Sequence, residues 1–241
     1  MLRARLLRGY FDRVYNPLYD ASTGRLTRYR QAQERVAAIL DARGSHNVLC
    51  VGLGTGNELK HLFARAPGVR IVGVDYSPNA LRLAARRSHS SSRSSLLLMD
   101  AHTLAFRDGC FDRVLSYHLT DFLPAPLAAT EEMLRVLRPG GRFVMSFPSE
   151  TEGLGLGIAL FRQGFENPST GNQARRLRGA LAAMLAGLLY SPLMLRRVPA
   201  PMSQSALGEL LRPLGVSDLS IETDPVYRDH IVTGTKLGGQ Q

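Results

Sequence analysis

The chain has 241 residues, 44% hydrophobic and 21% charged, which suits one α/β domain with a sizeable core and excludes a disordered or fibrous protein. Its two cysteines, Cys50 and Cys110, make neither a disulfide framework nor a CxxC pair, which points to a reducing, cytoplasmic setting. The formal charge is +10, and residues 1–45 concentrate the excess with nine Arg against four acids. Such a surface favours anionic partners: nucleic acid, acidic lipid or phosphorylated substrates.

Residues 1–43 are predicted to form a helical cap. Leu2, Leu6, Leu7, Tyr10, Phe11, Val14 and Leu18 recur at spacings of three and four, opposite Arg5, Arg8 and Asp12, until Asn16-Pro17 breaks the pattern. The Arg-rich start never becomes a long uncharged apolar core, so no signal peptide is read there. A second helix is expected over residues 27–42, ending before Gly44. From residue 47 the pattern alternates. NVLCVG, RIVGVDY, SLLLMD, FDRVLSY and GRFVMSF read as strands, with helices expected near 57–66, 78–87 and 125–137. That alternation implies a parallel sheet covered on both faces. SHSSSRSS (88–95) reads as a solvated connector. After the different rhythm of 150–202, SQSALGELLRPLG reads as a helix, and VSDLSIE and HIVTGTK as two final strands.

The first strand runs into Gly52-Leu53-Gly54-Thr55-Gly56, and a helix follows. Glycines at this spacing let the backbone turn sharply and approach a ligand with no Cβ in the way. The dinucleotide spacing GxGxxG is not met, because Asn57 stands where the last glycine would fall. Asp75 ends the second strand, nineteen residues beyond Gly56, where a carboxylate can accept from both hydroxyls of a ribose. Asp100 ends the third strand and can accept from an adenine amino group. A glycine loop and two strand-end acids in this order describe an adenosine site along the C-terminal edge of the sheet.

VLCVGLGTG, VGVDYS, MDAHTLAFRDGCFDRVLS and EEMLRVLRPGGRFVMS resemble the successive motifs of the class I S-adenosylmethionine (SAM) methyltransferases over about residues 44–148. LAFRDGCFD and RVLRPGG are the most specific. The branch resembled is that of the ubiquinone/menaquinone C-methyltransferases (methyltransferase type 11), and bacterial phospholipid N-methyltransferases share the layout. The resemblance implies a Rossmann-like α/β fold: a seven-stranded, mostly parallel sheet in order 3-2-1-4-5-7-6, last strand antiparallel, with helices on both faces. It also implies an N-terminal helical cap (1–43), a SAM-binding core (44–148 and 203–241) and a helical substrate-cap insertion (149–202) within a single domain. SAM would lie against Gly52, Leu53, Gly54, Thr55 and Gly56, with Asp75, Tyr76 and Ser77 at the ribose, Asp100 and Ala101 at the adenine, and Ser116 and Tyr19 completing the site. The product would be S-adenosylhomocysteine, and no metal is expected. One departure stands out: the family's usual acid two residues before the first glycine is Cys50 here.

Methyl transfer needs an acceptor aligned behind the methyl carbon, and a base where the acceptor must first lose a proton. His118, after the fourth strand in SYHLTDF, is the first candidate base, because imidazole titrates near neutrality. Asp121 could orient it or act alone. Tyr15, Tyr19 and His118 are the candidate acceptor contacts. Residues 179–195 carry no charge and are flanked by arginines, too short and too broken by Ser191-Pro192 for a confident span. Three readings compete there: a buried cap helix, the lining of a lipophilic pocket, or a segment dipping into the membrane interface. Together with the basic N-terminus the run suits peripheral contact with an anionic bilayer. The segment SYHL and the lack of a basic stripe interleaved with aromatics argue against nucleic acid. The expected activity is therefore methylation of a small, lipophilic metabolite: a quinone precursor, an aromatic or polyketide compound, or an isoprenoid. Phospholipid headgroup N-methylation at a membrane surface and noncatalytic SAM binding stay open as alternatives.

Overall fold

In the computed structural model the residues described are 9–10, 12, 16, 27–88, 92–149, 181, 202–225 and 228–238. The apolar runs form β1 (Asn47–Val51), β2 (Arg70–Asp75), β3 (Ser94–Leu98), β4 (Phe111–Ser116), β5 (Leu137–Phe147), β6 (Val216–Thr223) and β7 (His230–Lys236). They make one sheet in the order β3-β2-β1-β4-β5-β7-β6. Every pair from β3 to β5 is parallel, whereas β7 runs antiparallel to both β5 and β6. This is the expected topology.

Among the described residues the helices that flank this sheet are α1 (Thr27–Ile39), α2 (Leu59–Arg65), α3 (Pro78–Ser88), α4 (Pro126–Val136) and α5 (Gln204–Leu211). Successive β1 side chains point to opposite faces, so Val48 and Cys50 join one core while Leu49 and Val51 join the other. The first core takes Val36 from α1, Leu62 from α2 and Ala84 from α3. The second takes Met133 from α4 and Leu211 from α5. A central strand buried on both faces explains the unbroken apolar run VLCV.

Two elements differ from expectation at their ends. The fourth helix closes at Val136, and β5 begins at Leu137 rather than at residue 141. The Pro139-Gly140 pair sits inside the strand as an irregularity, Gly140 at φ 71°, and the register against β4 shifts between Phe111 and Arg113. Lys236 closes this bend by donating to the carbonyls of Arg135 (3.2 Å) and Leu137 (2.8 Å).

The two most specific motifs meet at Arg135. Its guanidinium donates to the carbonyls of Leu104 and Phe106, both at 2.9 Å, and to Asp108 at 2.5 Å. Glu132 pairs with the same guanidinium at 2.7–2.8 Å and accepts from the Leu104 amide at 3.0 Å. RVLRPGG therefore holds LAFRDG in place, which fixes the loop that follows β3.

Ser149 and Met202 form an isolated parallel bridge, so the chain leaves the core and returns to it at neighbouring points. The apolar run 179–195, Tyr15 and Tyr19 lie outside the described residues apart from residue 181. Among the described residues, no helix is long and apolar enough to cross a membrane.

Candidate active site

The loop between β1 and α2 is built on three left-handed glycines: Gly52 (φ 68°), Gly54 (φ 57°) and Gly56 (φ 75°). Side-chain-bearing residues adopt this conformation only at a cost. A Cβ on Gly52 would lie 2.7–2.9 Å from the Leu119 side chain, so this glycine also lets the loop pack against the segment after β4. A Cβ on Gly54 would meet nothing nearer than 3.9 Å, which marks it as the face open to an approaching molecule. Leu53 and Thr55 are buried beneath the loop. The Thr55 carbonyl accepts from Arg87, and its hydroxyl accepts from Asn57 at 3.1 Å.

Asp75, the last residue of β2, ties this loop to the next. Its Oδ2 accepts from the Gly54 amide at 2.7 Å and its Oδ1 from the Ser77 amide at 2.8 Å. Each carboxylate oxygen keeps further acceptor capacity. Burial pushes the Asp75 carboxyl above its ordinary range, and the two amides pull it partly back. Ser77 has another task. Its hydroxyl accepts from the Ala80 amide (3.0 Å), caps the start of α3 and donates to Asp12, while Asn16 donates to it at 2.9 Å. Asn79 donates to the Asp12 carbonyl at 2.6 Å. Asp12 and Asn16 thus sit beside the Asp75 strand end. Tyr76 stands half exposed at 48%.

Asp100 follows β3 and is exposed, and Ala101 is buried. His102 meets Asp100 Oδ1 with both its amide (2.9 Å) and its Nδ1 (2.7 Å). Partial burial pushes the Asp100 carboxyl up, but the His102 contacts outweigh it and hold the group below its ordinary range. Ser116, the last residue of β4, is 1% exposed, and its hydroxyl has no hydrogen-bond partner among the described residues.

Cys50 is buried, and its thiol is pushed far up, first by burial and then by nearby Glu58. Glu58 opens α2, is itself buried, and accepts from Gln33 at 3.3 Å. Burial pushes the Glu58 carboxyl up; its own amide, His118, Gln33 and Arg87 act in the other direction. A carboxyl group therefore does act on Cys50, contributed eight residues further along the chain, beyond the glycine loop. Sequence reading passed over Glu58, although its place directly after the glycine loop was the available signal.

His118 has left-handed backbone (φ 55°). Its amide donates to Ser146 Oγ at 2.6 Å, and Thr120 Oγ1 donates to the Ser146 carbonyl at 2.6 Å. The ring lies against Tyr117 (centroids 3.8 Å apart) and stacks at 6.4 Å with Tyr29 of α1. Its Nδ1 is 2.6 Å from Oδ2 of Asp229, which is 1% exposed. Asp121, the expected orienting acid, occupies a 3-10 turn (Thr120–Phe122). His118, Asp121 and Asp229 each offer a ligand atom within 4.8 Å of the others, so the three could also hold a metal ion. Neither Asp229 nor Tyr29 was singled out from sequence. Asp229 is distant along the chain, and Tyr29 reads as one more residue of an apolar helix face.

The sheet order and the glycine loop joined to a strand-end acid define a Rossmann-like methyltransferase fold. The methyltransferase domain family matches residues 49–145. The chain is 31% identical to demethylmenaquinone methyltransferase of Thermus thermophilus over 164 residues, 66% of this chain and 70% of that protein. It is 35% identical to phosphatidylethanolamine N-methyltransferase of Cereibacter sphaeroides over 131 residues, 53% of this chain and 62% of that one. Other curated relatives are matched over less of their length, down to 32%. Among solved structures, magnesium protoporphyrin IX methyltransferase of Synechocystis PCC 6803, with bound S-adenosylhomocysteine, aligns with TM-score 0.65 over 97% of this chain and 99% of that one. At 16% identity that likeness shows the fold alone. The chain belongs to the class I SAM-dependent methyltransferases and carries their type 11 domain.

Proposed function

We propose that the chain is a working methyltransferase that uses SAM to methylate a small, lipophilic metabolite. The observation that supports this most is the coupling of Asp75 to the glycine loop through the Gly54 amide. That contact holds an acid and an open stretch of main chain side by side. The residues present fit SAM. A Cβ on Gly54 would meet nothing nearer than 3.9 Å, the Ser116 hydroxyl lacks a partner among the described residues, and the buried Glu58 suits a neighbouring cation. Main chain from Gly52 to Gly56 and Glu58 would hold the methionine end. Asp75 and Tyr76 would hold the ribose, and Asp100 with Ala101 the adenine. When bound, SAM supplies a methyl group already activated on a sulfonium sulfur.

His118 serves as the general base at the acceptor end of this site. Its strained backbone and its two flanking tyrosines fix the ring beside the glycine loop's neighbour Leu119. The lipophilic character of the acceptor is supported by the uncharged run 179–195 and by relatives named for a menaquinone precursor and a phospholipid. Phospholipid headgroup N-methylation is a second reading, favoured by the basic N-terminal segment.

Incubation with labelled SAM and a lipid extract, followed by mass spectrometry, should reveal one class of molecule gaining a methyl group. No methylated product alongside tight SAM binding would favour the noncatalytic alternative. His118→Ala should lower turnover by about 100-fold or more while leaving affinity for S-adenosylhomocysteine unchanged. Flotation on anionic vesicles, with and without residues 1–20, separates the two acceptor readings, since only the phospholipid reading requires the N-terminus for vesicle binding.

A further inference from the structure

We infer that the β3 end of the sheet, built by β3 and α3, is a docking face for an anionic lipid bilayer, and that it sets the rim of the candidate site against the membrane from which a lipophilic acceptor would come. Such docking is the membrane side of the lipophilic-acceptor reading and rests on it.

Charge is spread unevenly along the sheet. Residues 59–99, which build α2, β2, α3 and β3, carry seven Lys or Arg against one acid, Asp75. Residues 101–149, which build β4, α4 and β5, carry five of each, and residues 203–238, which build the β6 side, carry three against five. The sheet order puts β3 at one edge and β6 at the other, so these stretches make one end positive and the other negative. Such an asymmetry turns the β3 end toward an anionic surface. Arg82 and Arg86 are exposed on α3, and four residues of helix place them on one face about 6 Å apart along the axis. Arg93 is exposed just before β3, its guanidinium 5.6 Å from the centre of the Phe63 ring. Arg87 donates to the Thr55 carbonyl and so ties this end of α3 to the glycine loop.

The same end is apolar where it meets the candidate site. Among the described residues six large hydrophobic side chains are exposed, and three of them are Tyr76, Leu97 and Leu98. Leu98 is the register partner of Asp75, and Tyr76 follows Asp75, so this apolar rim lies level with the proposed ribose contact. Arg82 and Arg86 stand one and two turns into α3, which starts from that rim at Pro78. A cationic flank beside exposed apolar side chains fits anionic headgroups and the acyl boundary beneath them together. Nucleic acid would engage the arginines through its phosphates but gains little from two leucines. A second copy docked along β3 by a two-fold axis would set these arginines against their equivalents, and copies stacked β3 edge on β6 edge would not close but grow into filaments.

The test is sedimentation of the full-length chain with vesicles of pure phosphatidylcholine and with vesicles of equal parts phosphatidylcholine and phosphatidylglycerol. The wild type should bind the anionic vesicles and not the neutral ones, and added salt should weaken the binding. Each arginine near such a surface contributes about fivefold, so Arg82→Gln with Arg86→Gln should lower partitioning by about 25-fold. Leu97→Ser with Leu98→Ser should lower it by about tenfold. Arg138→Gln with Arg212→Gln removes the same charge from the β5–β6 side and should change it by less than about twofold. The basic N-terminal segment is present in every variant and cancels from these ratios, and equal melting temperatures show that the variants are folded. No binding by the wild type overturns the docking face. So does unchanged binding by the Arg82/Arg86 variant, or an equal loss in the Arg138/Arg212 control. Loss with the arginine pair but not the leucine pair, together with tight binding of single-stranded RNA, would assign the face to nucleic acid instead. Light scattering that rises with protein concentration and vanishes in the Arg82/Arg86 variant would assign it to another copy of the chain. Calorimetry with S-adenosylhomocysteine separates the underlying reading: a wild type that does not bind it sinks the methyltransferase assignment, whatever the vesicles report.

Discussion

The edge of the sheet over β1 to β3 gets the groups proposed to face SAM from local chain geometry, whereas the edge over β4 and β7 assembles those proposed to face the acceptor across the whole fold. Over β1 and β2, three left-handed glycines and one strand-end acid lie within 24 residues of sequence, and the Gly54–Asp75 contact closes them together. Over β4 and β7, His118 waits on the last turn of the chain to bring Asp229 to its ring. The first edge is suited to a constant ligand shared by a family, and the second to an acceptor that differs between its members. Gly52 joins the two, since its missing Cβ is what lets the loop reach Leu119.

The largest effect that would break this division is at Asp75. Asp75→Ala should weaken S-adenosylhomocysteine by roughly 100-fold or more in calorimetry, because the ligand loses a carboxyl acceptor and the loop loses its tether. His118 and Asp229 variants should leave that affinity intact. If the two sets of variants affected binding alike, the edges would not be separate. Gly52→Ala comes next and should damage both edges. It adds about 1–2 kcal/mol of left-handed strain to a clash with Leu119. The melting temperature should fall by roughly 4–8 °C and ligand affinity should drop with it. Leu119→Ala in the same chain should restore part of the loss.

Arg135→Ala tests the support of the loop after β3, where the adenine is proposed to lie. Losing its contacts to Leu104, Phe106, Asp108 and Glu132 should cost about 2 kcal/mol, read as a denaturation midpoint. The smallest effect concerns acid stability. Arg135 holds the Glu132 carboxyl below its ordinary range. The sign follows from that depression: the contribution is complete above the unfolded value near about 4.3 and is lost as pH falls through the lower folded value. The stability difference between wild type and Glu132→Gln should therefore shrink as pH drops below 4 or so. A difference that grew instead would mean that the pair does not support the loop.

What could be read from sequence follows the same division. The glycine loop, Asp75, Asp100 and the strand–helix alternation were legible because each is a short-range pattern. Cys50 was legible as a departure, but the neighbouring carboxylate of Glu58 was not recognised, because its burial depends on α1 and Gln33 packing above it. Ser77 was expected at the ribose, and the structure shows its hydroxyl capping α3 and holding Asp12 and Asn16. Asp121 was the natural partner for His118 by spacing alone. Asp229 could be found only once β7 was known to lie beside β5, which is a consequence of sheet order and not of any local motif. The early start of β5 was hidden by Pro139-Gly140, which reads as a turn yet sits in a strand irregularity closed by Lys236.

The central claim is that SAM is held by the glycine loop and the strand-end acids. A crystal grown with sinefungin tests it directly. The ribose hydroxyls should meet the Asp75 carboxylate, the purine should lie toward Asp100 and Ala101, and the amino-acid end should point to Glu58. Density for the analogue at any other place on the protein, or none at saturating concentration, would contradict the account.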